Sequence, residues 1–198
     1  MVSKYGKQKI IGLFLIAFLL SCETKNEYPK NEITIDVPLK SGDIVLRKGK
    51  GYFSDIFKQM GSREKRFSHI GILSKENDSI MVYHIEADEF TGEGYALRED
   101  LMSFVRNSEE YSFFENTMDS LSNHAMLSKA KSYFNLKVKF DLSFNVEDDD
   151  KLYCSELVAK CINYGLDSEY IKPTLMFNGR VFYGLDDIYL KGIFKEIK

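Results

Sequence analysis

The 198-residue chain has no tryptophan and only three cysteines, three histidines and three prolines. So few cysteines exclude a disulfide-stapled scaffold. The histidines and thiols show no close metal-ligand spacing, so no metal site and no cofactor is expected. Charge of one sign is lacking too: the formal net charge is −3, which gives no reason to expect a nucleic-acid partner. Nor is there a membrane-spanning run. The apolar segment Ile10–Leu20 has eleven residues, too few to cross a bilayer core of about 30 Å as a helix. What is present is aromatic: 15 Phe and 12 Tyr, with an ordinary apolar share, enough for the core of one domain.

Lys4, Lys7 and Lys9 precede Ile10–Leu20, and small residues follow it, the pattern of an export signal. The run ends Leu19-Leu20-Ser21-Cys22, which resembles a bacterial lipoprotein lipobox. Residues 1–21 are then expected to be a signal peptide, with lipid on the sulfur of Cys22. Residues 22–40 would be a tether and residues 41–198 the working domain. The expected setting is the cell envelope, with the domain outside the cytoplasm and a membrane as partner through the lipid. A plain secretory signal with an incidental cysteine is the alternative. Cys154 and Cys161 remain. Seven residues along one helix is about 10.5 Å of rise, too far for a disulfide.

Hydrophobic periodicity gives a strand at Asp43–Arg47, a short amphipathic helix at Tyr52–Met60, and strands at Ser68–Ser74 and Ser79–Ala87 around the turn Glu76-Asn77-Asp78. Helices are expected over Leu97–Val105, Met118–Phe134 and Cys154–Tyr164, the last capped by Gly165, with strands at Tyr111–Glu115 and Ile193–Ile197. The mixture is α+β.

The hairpin carries the first chemical inference. A turn centred between Asn77 and Asp78 sets Leu73 against Val82, Gly71 against His84 and His69 against Glu86. Cross-strand partners share a face, so His69 and Glu86 would sit side by side, with Ile70, Ile72, Tyr83 and Ile85 on the opposite, core-facing side. A carboxylate on one imidazole nitrogen leaves the other free to take a proton. The same positions also suit an ordinary surface pair. His84 is a rival base on the same face, ranked lower because no carboxylate lies directly across from it.

The second inference concerns Cys154. Leu157, Val158, Cys161 and Ile162 form the buried stripe of a helix beginning near Tyr153, which puts Cys154 in the first turn. Free N–H groups and the positive end of the helix dipole favour a thiolate there. A buried structural thiol is the plainer alternative, and is the reading for Cys161. The acidic run Glu147–Asp150 reads as solvated residues ahead of the helix; its spacing is unconvincing for calcium. His124 reads as an exposed helix residue. Between Arg47 and Arg66 the chain carries seven positive and two negative charges. Arg63, Lys65 or Arg66 could hold an anionic group of a substrate; a solvated loop against lipid headgroups is the plainer reading.

The blocks Phe67-Ser68-His69-Ile70-Gly71-Ile72 and Leu152-Tyr153-Cys154-Ser155-Glu156-Leu157-Val158 resemble the circularly permuted branch of the NlpC-type papain-like superfamily, the YiiX/YebB-like proteins. Ser41-Gly42-Asp43-Ile44-Val45 and Gly184-Leu185-Asp186-Asp187-Ile188 add to the likeness. In that branch the histidine strand precedes the cysteine helix, the reverse of the papain order. The resemblance implies a papain-like α+β fold, with a small antiparallel sheet or barrel against helices. It also implies a triad of Cys154, His69 and Glu86, with Tyr153 and the Cys154 N–H supporting the oxyanion. The activity it implies is a cysteine amidase or peptidase, cleaving a peptidoglycan peptide or an N-acyl or lipid amide through an acyl-enzyme. An acyltransferase with the same triad, or a non-catalytic envelope binding lipoprotein, are the competing expectations.

Overall fold

The computed structural model describes residues 34–197, apart from Gly51, Met60, Ser62, Asn107 and Asn178. The expected signal peptide, Cys22 and most of the tether lie outside the described residues. In chain order the elements are β1 (Ile44–Gly49), α1 (Tyr52–Lys58), β2 (His69–Glu76), β3 (Ser79–Ala87), β4 (Gly94–Asp100), α2 (Leu101–Arg106), β5 (Ser108–Asn116) and α3 (Ser120–Asn135). There follow β6 (Lys139–Phe140), β7 (Lys151–Leu152), α4 (Cys154–Leu166), β8 (Leu175–Phe177), β9 (Arg180–Phe182), α5 (Asp186–Tyr189) and β10 (Phe194–Glu196). Eight strands form one curled sheet in the order β10-β5-β1-β2-β3-β4-β6-β7, antiparallel except between β6 and β7.

Both faces of this sheet are covered, so its central strands are apolar on both sides. Ile44, Leu46, Ile70, Ile72 and Ile85 face the long helices, packing with Met126 and Ala130 of α3 and Leu157, Val158, Cys161 and Ile162 of α4. Val45, Leu73, Val82 and Phe113 point the other way, onto Leu101, Phe104 and Val105 of α2. The period-2 alternation of side chains divides one hydrophobic strand between two cores.

Three sequence expectations change. Leu97–Val105 is not one helix: β4 occupies residues 94–100, pairing His84 with Leu97 and Glu86 with Tyr95, and only then does α2 begin. Pairing with β3 overrides the local helical pattern. Gly165 does not cap α4, which ends at Asp167 with φ of 47°. A Cβ on Gly165 would lie 2.5 Å from the Ser122 carbonyl oxygen, so the glycine permits close packing of α4 against α3. Leu39, expected in the tether, is buried, with Ile35 and Val37 packed beside it on the α2-side core.

The long helix starts as its sequence dictates. Asp119 accepts hydrogen bonds from the N–H groups of Leu121 (2.9 Å) and Ser122 (3.0 Å), satisfying two otherwise open donors. At the start of α4 the N–H of Tyr153 meets Glu156 Oε2 at 3.4 Å. Lys160, one turn on, pairs with Glu156 Oε1 at 3.1 Å and with Asp149 at 2.5 Å, fastening the acidic run to the helix.

Candidate active site

The hairpin of β2 and β3 has the expected register from Glu76↔Ser79 to Ile72↔Tyr83. There the ladder stops, although β2 begins at His69 and β3 continues to Ala87. The strands nevertheless stay side by side past that point: a Cβ on Gly71 would lie 3.3 Å from the Cβ of His84. Cys154 lies in the first turn of α4, 8% exposed, in the same core cluster as Ile70 and Ile85.

Burial pushes the Cys154 thiol up to about 12, and the Glu86 charge acts in the same direction. The N–H groups of Ser155, Ile70 and Cys154 itself pull the other way, and burial wins. The expected thiolate at the helix N-terminus is therefore a neutral thiol in this state. Ile70, whose N–H reaches the thiol, is the neighbour of His69 in the chain.

His69 does not pair with Glu86 as expected. Its Nε2 lies 2.9 Å from Nδ1 of His84, the diagonal neighbour on the adjacent strand. His84 Nε2 is in turn 2.8 Å from Glu99 Oε1 on β4. Glu86 is held by Arg47, whose Nη2 donates to Glu86 Oε1 at 2.5 Å and whose Nη1 donates to the Phe104 carbonyl at 2.7 Å. Arg47 is the β1 register partner of His69 and lies over the Phe104 ring, 4.5 Å from its centroid. Both imidazoles are buried against that ring, at centroid distances of 5.5 Å for His69 and 5.1 Å for His84. Burial first, then the charges of Arg47 and His84, hold His69 well below the usual imidazole range, so it is neutral near pH 7.

His69 and His84 thus share one hydrogen bond, and the Glu99 carboxylate lies beside the far nitrogen of His84. No hydrogen bond joins His69 to Cys154 here; the thiol is reached by the N–H of Ile70, the next residue along the strand.

The ligand atoms of His69, His84 and Glu86 all lie within 4.8 Å of one another, a convergence invisible in linear spacing. The donor types suit a transition metal. Arg47 stands against such an ion: its guanidinium is paired with Glu86, and its charge also lowers His69.

The remaining expected residues are spread around this centre. Tyr153 caps α4; its hydroxyl accepts the Tyr183 N–H at 2.8 Å and is committed to that loop. Ser155 Oγ donates to the Tyr183 carbonyl at 2.6 Å, a second tie. Arg66 is bound to Glu110 (2.5 Å) and Glu196 (2.7 Å). Arg63 donates from Nη2 to the Asp186 carbonyl at 2.8 Å, and Lys65 is exposed. None of the three lines the small pocket at Cys154, whose walls include Phe57, Ser68, Phe144, Tyr153 and Leu185. A larger open groove of about 700 Å³, between α3 and the Ser74–Lys75 end of β2, contains the exposed His124 and no member of the polar cluster.

Two comparisons bear on this arrangement. A family described as "Permuted papain-like amidase enzyme, YaeF/YiiX, C92 family" matches residues 38–178. Among solved structures, the protein YiiX of Escherichia coli O157:H7, titled a metalloprotein, superposes with a TM-score of 0.65. It is 16% identical, and the match covers 80% of this chain and 96% of YiiX, a likeness of fold. No curated protein matches the sequence. With a family match across most of its length and the histidine strand ahead of the cysteine helix, the chain belongs to the permuted papain-like amidase enzymes of the YaeF/YiiX, C92 family.

Proposed function

We propose that the protein is a cysteine amidase in which Cys154 is the nucleophile, His69 the general base, and His84, backed by Glu99, the group that orients the base. The observation that carries this reading is what gathers at the start of β2. There the first turn of α4 meets the peptide next to His69, and His69 Nε2 is taken up by His84. Glu86, first expected to orient the base, acts instead through Arg47, as part of the charge that keeps His69 neutral.

The proton accounting is as follows. Neutral His69 takes the Cys154 proton as sulfur attacks the substrate carbonyl, which gives a tetrahedral oxyanion and an imidazolium. The C–N bond breaks, and the imidazolium gives its proton to the leaving amine. Water then loses a proton to His69 and attacks the thioester; the C–S bond breaks and the thiol is restored. Because the resting thiol is neutral, proton transfer must accompany attack rather than precede it. The substrate class is an amide: a peptidoglycan peptide bond or an N-acyl or lipid amide.

The test is turnover of both amide classes, followed by mass spectrometry. Cys154→Ala should lower activity by roughly a thousandfold or more and leave the melting temperature nearly unchanged. Retained activity in that variant would sink the proposal. A product carrying an added amine acceptor in place of water would make the enzyme an acyltransferase. We also propose that lipid on Cys22 anchors the domain to a membrane of the cell envelope. Cys22→Ser should then move the protein to the soluble fraction with unchanged activity; retention on salt-washed membranes would count against the anchor.

A further inference from the structure

We propose that Phe144 is a displaceable plug in the acyl subsite beside Cys154 and sets the size of the acyl group the enzyme accepts. This rests on the reading of Cys154 as nucleophile. The pocket at Cys154 measures about 20 Å³, room for one water. No acyl group can reach the sulfur through such a space. What fills the rest is aromatic. The Phe144 ring lies 5.1 Å from that of Tyr153, 5.9 Å from Phe57, 5.8 Å from Phe182 and 6.4 Å from Phe140.

Phe144 is held there at a cost. Its φ is 53°, in the left-handed region that a bulky side chain rarely occupies. The hold comes from both sides of the residue. Asp141 accepts the N–H of Ser143 (2.8 Å), the Ser143 hydroxyl (2.6 Å) and the N–H of Asn145 (2.5 Å). Arg180 donates to the Ser143 carbonyl at 3.0 Å. Swinging Phe144 out releases that backbone strain and loses its ring contacts. A substrate whose own acyl group takes the vacated space restores the contacts. The space is walled by Phe57, Tyr153, Phe182 and Leu185, so the group that belongs there is apolar.

The test reads alkylation of Cys154 directly, by peptide mapping of the intact chain, and so does not require that an amide substrate be known. Two probes are compared: iodoacetamide, and the bulkier N-benzyl iodoacetamide. In the unmodified protein the bulky probe should react far more slowly than the small one. Phe144→Ala should speed the bulky probe by about tenfold or more while changing the small probe by less than about threefold. Phe144→Leu should fall between, and serves if the alanine variant does not fold. Equal acceleration of both probes would mean general loosening of the loop, and no acceleration of either would mean that Phe144 bars nothing; both results overturn the proposal. Cys161, fully buried, is the internal control. Failure of every amide to turn over would count against the amidase reading and leave the alkylation result standing.

Discussion

Strand β2 presents two unlike faces. Ile70 and Ile72 meet α4 in an aliphatic core, whereas His69, Gly71 and Leu73 look toward α2, where His84, Arg47, Glu86 and Glu99 collect around Phe104. The apolar face positions Cys154 largely by packing. The polar face positions His69 through a chain of directional contacts. Buried polar groups survive only when partnered, so the second face is the more demanding of its residues. The proposed nucleophile thus packs on one side of the strand and the proposed base lies on the other.

The comparison can be broken most severely at His69. His69→Ala should lower kcat by a thousandfold or more, close to the effect of Cys154→Ala, while a double variant should lose little more than either single one. Additive losses would mean that the two residues do not act as a unit.

The helix side holds a buried carboxyl, Glu156, which burial raises from 4.5 to about 7. A carboxyl raised on folding contributes stability that is full below the unfolded value and disappears as pH rises through the folded one. Stability should therefore decline between about pH 4.5 and 7, by on the order of 3 kcal/mol. Glu156→Gln should flatten that decline in thermal melts; an unchanged slope would assign it elsewhere.

Sharper resolution comes from the relay behind the base. His84→Ala should reduce kcat by about a hundredfold and Glu99→Gln by about tenfold, with KM little changed and the pH–rate profile displaced. Loss of stability without displacement of the profile would make the relay structural. The smallest effect is expected at Glu86: Glu86→Gln should cost less than about fivefold, and treatment with a chelator should leave activity as it was. Loss of activity on chelation, restored by a divalent cation, would turn His69, His84 and Glu86 into a metal centre.

Much of this was legible. The alternation of isoleucines with His69 and Gly71, and the Glu76-Asn77-Asp78 turn, give the hairpin register, which holds through Ile72↔Tyr83. The stripe of Leu157, Val158, Cys161 and Ile162 puts Cys154 in the first turn of its helix. The register fails to give His69 its partner because Arg47 of β1 takes up Glu86 and His69 turns to His84, a tertiary event with no local signature. Glu99 was out of reach for a different reason. Residues 97–105 carry a helical pattern, and only pairing with β3 turns the first of them into a strand that brings Glu99 to His84. Leu39 reads as tether because the stretch from Glu23 to Lys40 is polar for most of its length, yet Leu39 is buried with Ile35 and Val37 beside it. Nothing in the sequence marks Phe144, whose role depends on a backbone angle.

Ile35, Val37 and Ile197 pack against the same core cluster, so the two ends of the described domain are neighbours. A short linker could join them, and the chain could be reopened at the exposed turn of Leu136 and Lys137, where φ at Lys137 is already 51°. The rearranged protein would read cysteine helix first and histidine hairpin second. Its site would be built from the same side chains, so gene order and active-site geometry are separable in this fold.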